Sequence, residues 1–122
     1  MSQRFIRIAV VYLVIGAALG FYMGLSGKFA LAPVHAHVTL AGWLTLAVAG
    51  LVYHLYPQSA QTRLAKAHFW LHNIGLPVFM VGLALMLTGT QGVMPVIVVG
   101  ASTLLIGLLL FAVNVLLTVK VP

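Results

Sequence analysis

Residues 94–119 read MPVIVVGASTLLIGLLLFAVNVLLTV, and no charged side chain interrupts this run. A helix needs about 20 predominantly apolar residues to cross the hydrocarbon of a bilayer. Three other stretches meet this requirement, with loop-forming residues such as Pro57 and Gly89 between them. The sequence therefore predicts one domain, residues 1–122, with four membrane-spanning helices at about 5–25, 34–56, 67–88 and 94–119. The predicted fold is all-α, an integral membrane four-helix bundle surrounded by the lipid bilayer.

The composition excludes several classes of function. Apolar residues make up 63% of the chain and charged residues only 5%, whereas about a quarter of a soluble domain is charged. The chain has no aspartate, glutamate or cysteine, which excludes carboxylate catalysis, magnesium or calcium cages, and thiolate ligands. Its six basic residues are scattered, so we expect no nucleic-acid partner. Five histidines remain as candidate ligands for a transition metal.

The basic residues predict the orientation of the helices in the membrane. Five of them lie at or beside the same end of the predicted spans: Arg4, Arg7, Arg63, Lys66 and Lys120. Only Lys28 lies on the other side. Because cytoplasmic loops collect lysine and arginine, we expect both termini in the cytoplasm and the chain in the plasma (inner) membrane. Arg4 and Arg7 precede the apolar run of the first predicted span, as in a signal peptide. No small-residue cleavage site precedes Lys28, so we expect a retained helix.

Two histidines open the second predicted span near the outer face of the membrane. Each residue of an α-helix turns the chain by about 100°, so His35 and His37 point to nearly opposite sides. They cannot bind one metal ion from a single regular helix, but each could serve a different pocket or the pocket of a neighbouring subunit. Polar groups in a membrane tend to be functional. The alternative is that both residues bond to water, headgroups or loop carbonyls at the interface.

Three further histidines lie towards the inner face. His54 ends the second predicted span, and His68 and His72 begin the third with the i, i+4 spacing that places two side chains on one helix face. This pair could hold a metal, or it could reach the inner surface or bond to a neighbouring helix. A span is about 30 Å long, so we expect His72 to share no metal with the outer pair, His35 and His37.

Small residues and proline indicate how the helices pack. Gly16, Gly20 and Gly24 recur at four-residue spacing in the first predicted span, which predicts a packing face for another helix of this chain or of a second subunit. Pro77 removes the hydrogen bond to the carbonyl of Asn73 and predicts a kink in the third span.

Aromatic side chains gather near the inner end of the second and third spans. Tyr53, Tyr56, Phe69 and Trp70 fit an aromatic belt at the membrane interface. Trp43 lies deeper, where it could pack in the core or against a cofactor.

The second and third spans contain two motifs that resemble a known pair of helices. The first runs His35-Ala36-His37-Val38-Thr39-Leu40 and closes with Tyr56-Pro57. The second runs Lys66-Ala67-His68-Phe69-Trp70-Leu71 and continues with Ile74-Gly75. They resemble H-F-H-Y-V-L and K-x-H-F-W-L-x-x-I-G, which follow each other in subunit I of the haem-copper oxidases, the superfamily of cytochrome c oxidase and nitric oxide reductase. The resemblance covers about half of the chain.

The resemblance implies a haem site. In that family the first histidine of H-x-H binds a high-spin haem and the second binds a low-spin haem, so His35 and His37 become candidate ligands of haem iron. The copper ligands, the cross-linked tyrosine and the opposing haem histidine of the family belong to helices that have no counterpart here. Thr90-Gln91 stand where the family has an arginine pair. A complete, proton-pumping oxygen reductase is therefore not expected from this chain alone, and whether it is an enzyme stays open.

Subunit I of the oxidases has twelve helices in three pseudo-symmetric arcs of four, and this chain resembles one arc. We expect a homo-oligomer, with a trimer favoured, in which His35 of one protomer faces His37 of the next across one haem b. Two histidine ligands favour electron transfer with a redox partner protein. Lys28 could pair with a haem propionate or remain a solvated loop charge.

The sequence also fits two other functions. The chain could be a haem-free accessory or assembly subunit that packs against a larger respiratory complex. It could also hold a five-coordinate haem that binds nitric oxide or oxygen, as a sensor or a reductase.

Overall fold

The computed structural model describes residues 1–121, which contain helices and loops and no strand. The first span is α1 (Ser2–Ser26). The second span, Ala32–Leu55, consists of α2 (Ala32–His37), a π-helical segment (Val38–Leu44) and α3 (Thr45–Leu55). A short helix α4 (Pro57–Ala60) leads to the third span, α5 (Arg63–Leu87), and the fourth span is α6 (Met94–Thr118). All four spans are long and apolar enough to cross a membrane, which confirms the predicted helical class and the number of spans.

Local capping fixes where α5 begins and where α1 ends. Thr62 precedes α5, and its Oγ1 accepts a hydrogen bond from the amide of Ala65. This N-cap starts the helix at Arg63, earlier than the predicted residue 67, because a capped amide no longer needs water. Gly27 ends α1 in the left-handed conformation, with φ 66°, and its amide donates to the carbonyl of Met23.

The four spans run alternately up and down, so that one end of the bundle collects most of the charge. Phe5 of α1 packs against Tyr53 of α3 and Phe69 of α5, with ring centroids 5.2 and 5.3 Å apart. The start of α1, the end of α3 and the start of α5 therefore lie together. This basic end carries five of the six basic residues: Arg4, Arg7, Arg63, Lys66 and Lys120.

A buried hydrogen-bonded cluster ties the loop at the basic end to α6. The hydroxyl of Thr62 donates to Asn114 Oδ1 over 2.9 Å, and Asn114 Nδ2 donates to the carbonyl of Ser59 over 2.9 Å. The hydroxyls of Ser59 and Thr118 lie 2.6 Å apart. Ser59 and Asn114 are fully buried, and we call these four residues the loop–α6 cluster. Its bonds satisfy polar groups that would be costly to leave unpaired inside a membrane protein.

Glycines set the closest approach between helices. A Cβ on Gly75 of α5 would lie 2.5 Å from the amide nitrogen of Leu104 in α6, and a Cβ on Gly100 would overlap the backbone of Phe79. The backbones of α5 and α6 can therefore touch, as small residues allow in membrane bundles. Pro77 lies inside α5, which continues as a helix to Leu87.

The predicted glycine face of α1 is used within the chain. A Cβ on Gly16 would lie 2.6 Å from Thr39 Cγ2, and a Cβ on Gly20 would lie 3.0 Å from His35 Cε1, both in the second span. Gly24 has no such neighbour within 4 Å. Gly16 and Gly20 thus leave room for the second span to pack against α1, whereas Gly24 lies on the open surface.

Candidate functional site

His35 lies on α2 and points towards α1. Its Nδ1 is 2.7 Å from the carbonyl oxygen of Gly16. A carbonyl can only accept, so Nδ1 carries the proton and a neutral ring keeps its lone pair on Nε2. The missing side chain of Gly20 makes room for the ring, which would otherwise meet a Cβ at 3.0 Å. The glycines of α1 therefore fix both the place and the tautomer of this histidine.

His37 is held in the same tautomer by a different carbonyl. Its Nδ1 lies 2.7 Å from the carbonyl oxygen of Pro33, one turn earlier in the same helix. Its ring meets Phe79 of α5 edge-on, with centroids 5.1 Å apart. His35 thus faces α1 and His37 faces α5, the divergence that their spacing predicts. Both rings leave Nε2 with a lone pair.

This arrangement is the one that histidine ligands of metals usually have. A ligating histidine commonly donates its second N–H to a carbonyl or carboxylate, which fixes the ring and raises the basicity of the ligating nitrogen. Gly16 and Pro33 supply that carbonyl here. No three of the His, Cys, Asp or Glu side chains in residues 1–121 lie together as a group for a metal ion.

The inner histidines belong to a buried chain of hydrogen bonds. The Tyr53 hydroxyl lies 3.0 Å from His68 Nδ1, His68 Nε2 lies 3.2 Å from His72 Nδ1, and His72 Nε2 lies 2.8 Å from the carbonyl oxygen of Ala41. His68 and His72 are fully buried, and Tyr53 is only 1% exposed. We call these four residues the Tyr–His chain. It places the two histidines inside the bundle, deeper than the inner surface, partly because α5 begins before residue 67.

The direction of every bond in the Tyr–His chain follows from its last member. The carbonyl of Ala41 only accepts, so His72 donates from Nε2 and accepts at Nδ1. His68 must then donate from Nε2, which leaves its Nδ1 to accept from the Tyr53 hydroxyl. All four ring nitrogens of the neutral pair are occupied by these bonds. Of the alternatives left open by the sequence, the structure shows hydrogen bonding to a neighbouring helix.

The rings around this chain correct part of the predicted aromatic belt. Phe5 stacks on His68 with centroids 5.1 Å apart. Tyr53 and Phe69 are buried, so their assignment to the interface is wrong, because closeness to the end of a span says nothing about which face a residue occupies. Trp70 is 59% exposed and fits the belt. Trp43 packs against the core cluster that contains Phe5.

The π-helical segment between the two sets of histidines has no clear signal in the sequence. Its residues, Val38–Leu44, would suit an ordinary helix. At its end the amide of Thr45 bonds to the carbonyl of Leu40, five residues back, instead of to Ala41, four residues back. The Thr45 hydroxyl adds a bond of 2.7 Å to the same Leu40 carbonyl. π turns within α-helices are often found at functional sites.

The four hydrogen-bonded histidines give a direct prediction for nuclear magnetic resonance. In haem-free protein labelled with ¹⁵N-histidine, His35 and His37 are expected to carry their proton on Nδ1, and His68 and His72 on Nε2. The two tautomers differ in their ¹⁵N chemical shifts, and His54, which is exposed, serves as the internal reference. Nε2–H tautomers at His35 and His37 would contradict the geometry described above.

Comparison of the chain with protein-family models, with curated proteins and with solved structures gives no match. The resemblance of the second and third spans to haem-copper oxidases stays a prediction.

Proposed function

We propose that this protein is a membrane-bound b-type haem protein that transfers electrons. His35 of one protomer and His37 of another would hold the haem iron. The observation that carries the proposal is the shared state of the two rings, each with Nδ1 bonded to a backbone carbonyl and Nε2 free to bind a metal. Haem suits such a pair because the porphyrin supplies four of the six iron ligands and the protein needs to add only two.

The directions of the two rings favour binding between protomers. Because His35 faces α1 and His37 faces α5, the two side chains cannot meet on one iron within a chain. A closed ring of identical subunits brings the two different faces together at every interface. Three copies would give twelve helices, the number in subunit I of the oxidases, and we favour this trimer.

With two histidine ligands the haem iron would have no open position for a gas, and this supports electron transfer. The backbone carbonyls of Gly16 and Pro33 hold both histidines in one tautomer, and Phe79 packs against the ring of His37. These contacts would tune the potential of a bound haem. Lys28 lies in the loop before α2, at the end of the bundle that carries His35 and His37, and we assign it to a haem propionate.

The charge at the two ends supports an orientation. Five basic residues lie at the basic end, and we place this end, with both termini, in the cytoplasm. His35 and His37 then lie near the outer face of the plasma membrane.

An optical spectrum of the purified protein tests the proposal. After expression with adequate haem supply, we expect sharp low-spin b-type bands on reduction with dithionite and no change on adding carbon monoxide. A pyridine haemochrome assay should give one haem b per protomer in a ring of identical interfaces. A high-spin spectrum that shifts with carbon monoxide would indicate the five-coordinate alternative. A colourless protein that co-purifies with respiratory subunits would indicate the accessory alternative.

A further inference from the structure

The backbone hydrogen bonds of the π-helical segment in the second span have a different register from those of an α-helix. The amide of Thr45 bonds to Leu40 instead of Ala41, so Ala41 lacks the amide partner that an α-helix would give its carbonyl. An unpaired backbone group inside a bilayer costs several kcal/mol. A donor from another span that bonds to this carbonyl therefore favours the π turn over the α register, in which Thr45 would take the same carbonyl.

That donor comes from the third span. His72 Nε2 lies 2.8 Å from the Ala41 carbonyl oxygen, and the His72 side chain is fully buried. The other ring nitrogen of His72 accepts from His68, which in turn accepts from the Tyr53 hydroxyl. Both ring nitrogens of His72 are thus paired in the tautomer that donates to Ala41.

We propose that His72 is a positioning residue for the haem ligands, acting through the carbonyl of Ala41. By occupying this carbonyl it holds the π register of the second span. His35 and His37 lie directly before the π-helical segment, so the register sets the directions in which their rings point. The role of His35 and His37 as haem ligands rests on the proposed function. The coupling of His72 to the ring of His35 does not depend on haem.

The size of the effect follows from helix geometry. If Thr45 returned to the carbonyl of Ala41, the register would shift by one residue, which rotates the preceding turn by about 100° relative to α3. The ring of His35 would then lose the carbonyl of Gly16 and the space provided by Gly20. A rotation of this size also removes His37 from Phe79.

The test compares three variants of the full chain. His72→Phe keeps a ring of similar shape but removes the donor to Ala41. His72→Gln offers an amide N–H to Ala41 and a carbonyl that accepts from His68, so it is the conservative replacement. Tyr53→Phe removes the hydroxyl at the far end of the Tyr–His chain and leaves the His72–Ala41 pair in place.

Two readouts are measured on each variant. In haem-free protein labelled with ¹⁵N-histidine, the Nδ1 proton of His35 should exchange slowly with water because it is bonded to Gly16. We expect this slow resonance to be lost in His72→Phe and kept in His72→Gln and Tyr53→Phe. In haem-loaded protein, the low-spin electron paramagnetic resonance signal should shift or disappear in His72→Phe alone.

A slow His35 proton and an unchanged haem signal in His72→Phe would overturn the inference. If the wild type binds no haem, the proposed function fails, and the haem-free measurement still decides the coupling. If His72→Phe does not fold, wild-type protein with ¹⁵N-histidine and ¹³C-carbonyl alanine replaces it. Magnetisation transfer from His72 Nε2 to the Ala41 carbonyl carbon is then required, and its absence removes the inference.

Discussion

Alanine in place of His35 or His37 is expected to remove nearly all bound haem. Loss of a group that only orients a metal ligand lowers metal affinity by about 10–100-fold, so loss of the ligand itself should lower it by more than about 100-fold. The measurement is haem per protein by pyridine haemochrome, with size-exclusion chromatography and circular dichroism to verify folding. His54→Ala is the matched control, because His54 lies on the same span, is exposed and is far from Gly16 and Pro33 in the chain. Normal haem content in both single variants would refute the assignment.

The same two variants can show whether the ligands come from different protomers. His35→Ala protomers still carry His37, and His37→Ala protomers still carry His35. When the two are co-expressed with different tags, an interface regains both ligands if an intact His35 faces an intact His37. In a random ring this occurs at about a quarter of the interfaces, so about a quarter of the wild-type haem should return. A mixture that stays as colourless as the single variants would refute the arrangement between protomers.

Leucine at Gly100 is expected to separate α5 from α6. Overfilling a packed core usually costs about 1–3 kcal/mol. Here the atoms in the way are the backbone of Phe79, which cannot move aside as a side chain does, so we expect a loss of more than about 3 kcal/mol. The free energy of unfolding is measured by titration with sodium dodecyl sulfate in mixed micelles, followed by circular dichroism.

Gly24→Ala is the control for that measurement. A Cβ at Gly24 meets nothing within 4 Å, and alanine favours a helix over glycine by about 1 kcal/mol. This variant should be as stable as the wild type or slightly more stable. Wild-type stability in Gly100→Leu would show that α5 and α6 do not approach each other through this glycine.

The spans could be predicted because the bilayer imposes a simple rule on length and polarity. A run such as residues 94–119 is too long and too apolar for a helix of a soluble domain. The opposed directions of His35 and His37 follow from helical spacing alone. The predicted start of α5, residue 67, is too late because the cap of the helix, Thr62, lies in a polar stretch that hydropathy does not include.

The face that each residue occupies could not be predicted in the same way. Tyr53 lies near a span end, as interfacial tyrosines do, but its contact with His68 depends on how α3 and α5 meet across a short loop. The i, i+4 spacing of His68 and His72 indicates that the two side chains share a helix face. It does not indicate which neighbouring helix they contact. The carbonyl of Ala41 in the π-helical segment meets a donor from another span, and no local pattern in Val38–Leu44 reveals that contact.

The loop–α6 cluster has a consequence for the order in which the protein is made. Thr62 and Asn114 are 52 residues apart in the chain, and ribosomes add about 5–20 residues each second. The loop therefore leaves the ribosome roughly 3–10 s before its partners on α6. During that interval the carbonyl of Ser59 and the hydroxyl of Thr62 are still without Asn114. Insertion of the last helix is thus the event that completes the bundle, and a nascent chain stalled before Asn114 should remain sensitive to proteases at residues 57–62.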